Sequence, residues 1–162
     1  MNIGILKRVD GTVAIVTPTQ EGIDTYGFDG VMTQANPTSL PITIVDNITL
    51  PTDRVFRNAW EEGVGGVAIN RIKAETIHMN RLRYLRKQQL LLLDKEYLMA
   101  DENNNPAEKQ AITLKKNQLR DMPTTFDLSV FTLEQLKTAK PTYLYGDVAL
   151  LHSNVFTAES LI

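Results

Sequence analysis

The sequence predicts an α+β protein: a small antiparallel sheet of three or four strands packed on a long antiparallel helical hairpin, with an apolar C-terminal extension. Three observations lead there. Short β-rich runs punctuated by Asp-Gly, Pro and Asn occupy the first 70 residues. From Arg71 to about Ala100 the chain is free of glycine and proline and repeats its apolar residues at helical spacing. After the linker Asp101-Glu102-Asn103-Asn104, a second helix opens at once, and two helices joined so closely must run antiparallel.

The first strands are a hairpin. Ile3 to Arg8 and Thr12 to Thr17 flank Asp10-Gly11, a strong short-range hairpin signal. With that dipeptide as a two-residue loop, Val9 pairs with Thr12, Ile5 with Val16 and Leu6 with Ile15. Pro18 cannot donate to a ladder and ends the second strand. Residues 19 to 40 are rich in Gly, Thr, Asp, Asn and Pro. They read mainly as a structured loop, with one turn of helix at Ile23-Asp24-Thr25-Tyr26. Pro41 to Asp46 is a third strand.

Thr52 or Asp53 caps an expected two-turn helix, because a side-chain oxygen there satisfies a free first-turn amide. On it Phe56 and Trp60 share one face, Arg57 and Glu61 another, and Gly63 supplies the stop. Gly66 to Ile69 is a fourth strand leading to Asn70, a good helix cap. In the long helix, Ile72, Met79, Leu82, Leu90, Leu93 and Tyr97 form the apolar face. Leu85, Leu91, Leu92 and Leu98 widen it, so its second half is expected to pack on at least two sides. Asn105 caps the next helix with Pro106 in first position and Glu108 completing a capping box; Pro123 is expected to end it. Thr132-Leu133-Glu134-Gln135 is another capping box, opening a short helix that ends before Pro141. The expected division is 1–70, 71–122 and 123–162, as one compact domain with an arm.

Composition excludes several classes. Hydrophobic content of 43% and charged content of 22% are ordinary for a globular protein. Cysteine is absent, which removes disulfide frameworks and thiolate metal sites. No apolar run approaches the ~20 residues of a membrane span, and the first residues lack the order of a signal peptide. Cytoplasmic synthesis and no membrane partner are therefore expected. The net charge of −2 is uneven, with −4 over residues 1–70, +4 over 71–100 and −2 over 101–162.

Candidate sites are few. Arg71, Lys73, Arg81, Arg83, Arg86 and Lys87 could neutralise phosphates, but at ~100° per residue they point all around their helix. A solvated helix pairing with acidic neighbours is the plainer reading, and nucleic acid is not the expected partner. His78 and His152 stand 74 positions apart, and only Glu75 lies at ligand spacing from His78. No Gly-x-Ser-x-Gly elbow or phosphate loop occurs, so no enzyme activity, metal or cofactor is expected. What remains is Arg54, Phe56, Arg57 and Trp60, a run of arginines and aromatics that is either a pin between substructures or a docking surface. To these we add Leu150, Leu151, Val155, Phe156, Leu161 and Ile162, the apolar residues of the C-terminal segment. An apolar tail must be covered by its own domain or a neighbour.

The order Asp10-Gly11-x-Val13-Ala14-Ile15-Val16-x-Pro18, followed by Pro51-Thr52-Asp53-Arg54-x-Phe56-Arg57-Asn58-Ala59-Trp60, resembles small proteins encoded among the tail genes of tailed bacteriophages and prophages. Lys73-Ala74, Ile77-His78, Arg81, Arg83, Leu93-Asp94 and Leu119-Arg120-Asp121 extend the likeness in patches over residues 3–122. The last triplet is also similar to the ending of phage tail-assembly chaperone and fibre-assembly proteins. The helix before Leu119 lacks their usual Trp and Tyr, which favours a resident virion component over a chaperone. The resemblance implies a non-enzymatic tail or neck component or assembly factor. It would bind other phage structural proteins or itself, in the virion or the host cytoplasm. The alternative is a nucleic-acid-binding or host-modulating phage protein that uses the basic helix.

Overall fold

The structure, a computed structural model, describes residues 1–47, 50–148 and 151. It is α+β, and it divides into two compact units, Met1–Ala74 and Glu75–Ile162.

The first unit is built on a three-stranded antiparallel sheet with β1 (Asn2–Lys7) between β2 (Val13–Val16) and β3 (Ile42–Asp46). β1 has Ile3, Ile5 and Leu6 buried, as a central strand covered on both faces must. The hairpin register differs by one residue from the expected one: Ile5 pairs with Ile15 and Leu6 with Ala14. The loop is three residues long, not two. Gly11 donates to the Arg8 carbonyl at 3.0 Å and Arg8 to the Thr12 carbonyl at 2.9 Å. Gly11 has φ 75°, the left-handed residue of a type I turn with a glycine bulge. Asp10 completes the turn by accepting from the Thr12 amide at 2.9 Å and its hydroxyl at 2.6 Å. Those two bonds hold its carboxyl below the usual aspartate range.

Residues 20–35 are helical, not a loop: α1 (Gln20–Ala35) is bent at Gly27, whose φ is 69°. Local polar bonds substitute for helix propensity. Thr19 caps the Gly22 amide at 3.1 Å, Gln20 donates to Asp24 at 2.8 Å, and the Thr25 and Thr33 hydroxyls bond the carbonyls four residues back. Met32 is the one buried residue of α1. A Cβ on Gly4 would lie 2.7 Å from Met32 Sδ and 2.8 Å from Ile42 Cδ1, so glycine in the central strand is what admits the helix. Asn36 then clasps Leu40 through both its amide groups and turns the chain into β3.

A second antiparallel pair, β4 (Trp60–Gly63) and β5 (Gly66–Ile69), approaches the first sheet, β4 near β1 and β2 and β5 near β3. The expected helix from Thr52 to Trp60 is therefore corrected. Only Arg57–Ala59 is helical, a single 3₁₀ turn, and Trp60 begins a strand. Gly63 ends no helix. It pairs with Gly66 across a tight Val64-Gly65 turn, with Gly65 at φ 77°. A Cβ at Gly63 would sit 2.6 Å from the Ala68 Cβ and 3.2 Å from its amide nitrogen. Neither atom can yield without moving the strand, so Gly63→Ala should cost about 1–3 kcal/mol, read as a lower urea midpoint with unchanged slope. Thr43 donates to Glu62, and Lys7 lies 3.8 Å from the same carboxylate.

The helix α2 (Arg71–Glu102) begins under Asn70, whose side chain accepts from the Lys73 amide at 2.9 Å and donates to Glu61 at 2.7 Å. In the second unit it pairs with α3 (Pro106–Thr125), capped by Asn105 as its sequence indicated. Pro123 does not end α3. Its missing amide is tolerated, and the Phe126 amide still reaches the Met122 carbonyl at 2.9 Å. The two helices run antiparallel, as two cross-links show. Lys109 pairs with Asp101, which raises the lysine pKa, and Lys116 with Asp94 at 2.5 Å. Both ammonium groups lie over the Tyr97 ring, 5.3 and 5.2 Å from its centroid. Asp94, Tyr97 and Asp101 fall three and four apart on α2, and the lysines seven apart on α3, so one face of each helix meets the other.

The chain then returns over α2. α4 (Leu133–Leu136) opens with the expected capping box of Thr132 and Gln135. His78 is fully buried and bonds the Ala139 carbonyl at 2.6 Å. Because a carbonyl only accepts, the histidine Nε2 carries the proton. Gln89 donates to the Tyr143 carbonyl at 3.0 Å and accepts from the Tyr145 amide at 3.1 Å. Gly146 lies against Leu85, where a Cβ would come within 2.9 Å. Leu82, Leu119, Met122, Leu136, Leu144 and Val148 are the largest fully buried apolar side chains described in this unit.

Candidate protein-interaction surface

Of the residues singled out in the sequence, Phe56 and Trp60 are core. Each is 2% exposed, so neither presents a docking face, and both serve to pin the first unit from within. They share no helical face: Phe56 precedes the 3₁₀ turn and Trp60 follows it. The Trp60 Nε1 is buried with no hydrogen-bond partner among the described residues. Arg54 and Arg57 are exposed on the same turn, joined by the Arg57 amide on the Arg54 carbonyl at 3.0 Å. Leu151 is buried, its amide on the Val148 carbonyl at 3.0 Å. Leu150, Val155, Phe156, Leu161 and Ile162 lie outside the described residues.

The basic stretch also divides. Arg81 is buried, and burial lowers its pKa, so it is not available to a phosphate. Arg83 and Lys87 are exposed, and Arg83 donates to Asn80 at 2.9 Å. Arg86 is half-buried, its pKa lowered by burial and then by the charge of Arg83. Asn80, Arg83, Tyr84, Arg86 and Lys87 line a shallow groove that ends at Leu90 and Leu91. Among the described residues no three His, Asp or Glu side chains converge as metal ligands would, and no helix is long and apolar enough to cross a membrane.

The distal half of α2 overturns another expectation. Among the described residues, α3 and the returning segment at Tyr143–Tyr145 both touch it, but the leucines expected to be covered there are not. Leu93 and Ala100 are buried, but Leu91, Leu92, Leu98 and Met99 are 57%, 64%, 61% and 52% exposed. Ile72, placed on the apolar face from its spacing, is exposed as well. Four large apolar side chains within nine residues are an uncommon thing to leave in water. At 100° per residue they lie 140–260° around the helix from Leu93, Leu92 and Met99 opposite the α3 contacts and Leu91 and Leu98 beside them. The surface is legible in the sequence as two seven-residue repeats, Tyr84-Leu91-Leu98 and Leu85-Leu92-Met99. Sequence reasoning found these leucines and assigned them to the interior.

Chemically this surface can bury apolar area and order charges. No protein-family model matches the chain, and neither does any curated protein or solved structure.

Proposed function

We propose that the chain is a non-enzymatic bacteriophage virion protein, a tail or neck component or a tail or fibre assembly factor, working through contacts with other proteins. The observation that carries the reading is the exposed row Leu91, Leu92, Leu98 and Met99 on the distal half of α2. Covering such a row removes apolar area from water at roughly 25 cal/mol per Å², and charged groups beside it fix orientation. The phage setting comes from the Pro51–Trp60 block and the patches that follow it in sequence. On this reading the protein resides in the virion or the host cytoplasm. Its partners are phage structural proteins or further copies of itself.

Mass spectrometry of purified particles and of tail subassemblies tests it. The expected result is this chain at a fixed ratio to the tail proteins, in finished particles for a component or in subassemblies alone for an assembly factor. Its absence from both would overturn the reading.

A second reading has one observation in its favour, the groove of Arg83, Arg86 and Lys87 beside Tyr84. Nucleic-acid binding there would fall steeply with salt and disappear in the triple alanine variant. We expect no retention of DNA or RNA at low salt by wild type, and Arg81→Ala to reduce stability instead, because that side chain is packed in the interior.

A further inference from the structure

We propose that two copies of this chain pair antiparallel through the exposed strip of α2 that carries Leu91 and Leu98, with Leu91 of one copy against Leu98 of the other. The pairing rests on reading that strip as a protein contact and names its partner.

The order of charge along the helix favours a second copy. Lys87, Leu91, Leu98 and Glu102 fall within an arc of about 60° on one side of α2. Their order is basic, apolar, apolar, acidic. Lys87 and Glu102 are both exposed, whereas Asp101 faces α3 and is held there by Lys109. A surface of that kind is complementary to itself when reversed. In an isologous two-fold contact each residue meets its counterpart in the opposite order. A two-fold axis near Asp94 and Lys95 sets Leu91 level with Leu98, and it places Lys87 level with the partner's Glu102. The parallel arrangement would put cations on cations and carboxylates on carboxylates. The antiparallel one does the opposite twice per dimer.

Geometry agrees with the sequence repeat. Tyr84, Leu91 and Leu98 are seven apart, the spacing that keeps a seam facing a partner helix. The seam from Tyr84 to Glu102 is roughly 27 Å long at 1.5 Å per residue. Leu92 and Met99 flank it on one side and would lose water as the helices close. Asp94 is already held by Lys116 at 2.5 Å, which neutralises the carboxylate beside the axis. A seam of this length is small for a protein interface, so the dimer should be concentration-dependent and sensitive to salt.

Sedimentation equilibrium of the full chain over a hundredfold range of concentration tests the pairing. A monomer–dimer equilibrium is expected, with dissociation strengthened at least tenfold by Leu91→Glu with Leu98→Glu. Both leucines are exposed in the single chain, so the variant should keep its circular dichroism and melting temperature. Orientation is read separately, because the chain has no cysteine to confuse it. Gln88→Cys chains mixed with Glu102→Cys chains should form a disulfide-linked mixed dimer under mild oxidation, while either variant alone should not. A wild-type monomer at every concentration overturns the pairing. So does a double-glutamate variant that dimerises like wild type, or cross-linking of Gln88→Cys to itself. Any of these would leave the virion role standing, because that role is decided by the composition of particles.

Discussion

Trp60→Ala should lower the stability of the chain by about 3–5 kcal/mol, the range for emptying a buried indole site. Against a typical total of about 5–15 kcal/mol, that is enough to leave much of the variant unfolded at physiological temperature. Trp60 opens β4, pairs with Ile69 on β5, and is 2% exposed beside the equally buried Phe56. Trp60→Phe should cost far less, roughly 1–2 kcal/mol. The indole N–H is buried without a partner among the described residues, so phenylalanine forfeits no hydrogen bond and relieves an unmet donor. Urea unfolding followed by far-ultraviolet circular dichroism measures both variants. In the wild type, the sole tryptophan should emit at short wavelength and shift red on unfolding. An alanine variant as stable as the parent, yet defective in partner binding, would restore the docking role that burial takes from this residue.

How much of this was legible follows from where each residue's decisive partner lies. The caps at Asn70, Asn105 and Thr132 are local, since oxygen and amide are within three residues of each other, and all three were readable. The hairpin at Asp10-Gly11 was readable as a hairpin but not in register. A two-residue and a three-residue loop share the same dipeptide, and only the Arg8–Thr12 bond distinguishes them. Residues 20–35 carry three glycines and little periodicity. Their helix depends on Met32 fitting over Gly4, a contact from another element that no window contains. Phe56 and Trp60 are four apart, which suggests a helix, but a strand beginning at Trp60 satisfies the same two side chains through pairing with Ile69.

The candidate surface was harder for a related reason. Heptad leucines read identically whether a partner helix belongs to the same chain or to another. On α2, α3 reaches Asp94, Tyr97 and Asp101. It leaves Leu91 and Leu98 outside, and no feature of α2 alone says which of the two faces α3 will take. The cross-links do say it, since Lys109 and Lys116 reach Asp101 and Asp94 across the Tyr97 ring. Once those polar residues are placed, the face that carries them is spoken for and the leucines beside it are left to water.

The same placement alters how the C-terminal segment must be tested. A cut after Pro141, the natural choice if everything beyond it is a docking arm, should unfold the second unit instead. It removes Leu144, Val148 and Leu151, all buried, together with the Tyr143 carbonyl and Tyr145 amide that satisfy Gln89. At about 1.5–3 kcal/mol for each buried aliphatic side chain, the loss is on the order of 5–8 kcal/mol, comparable with the whole stability of a domain. A cut after Leu151 keeps every one of those groups and should melt within a few degrees of the full chain. Thermal unfolding and size exclusion of the two shortened proteins distinguish these outcomes. Partner association lost by the chain ending at Leu151, with its fold retained, would then belong to residues 152–162 alone. Association lost only by the chain ending at Pro141 would report a broken core and say nothing of an arm. If that shorter chain folds as cooperatively as the parent, the packing of Leu144 and Val148 in the returning segment is not what holds this unit together.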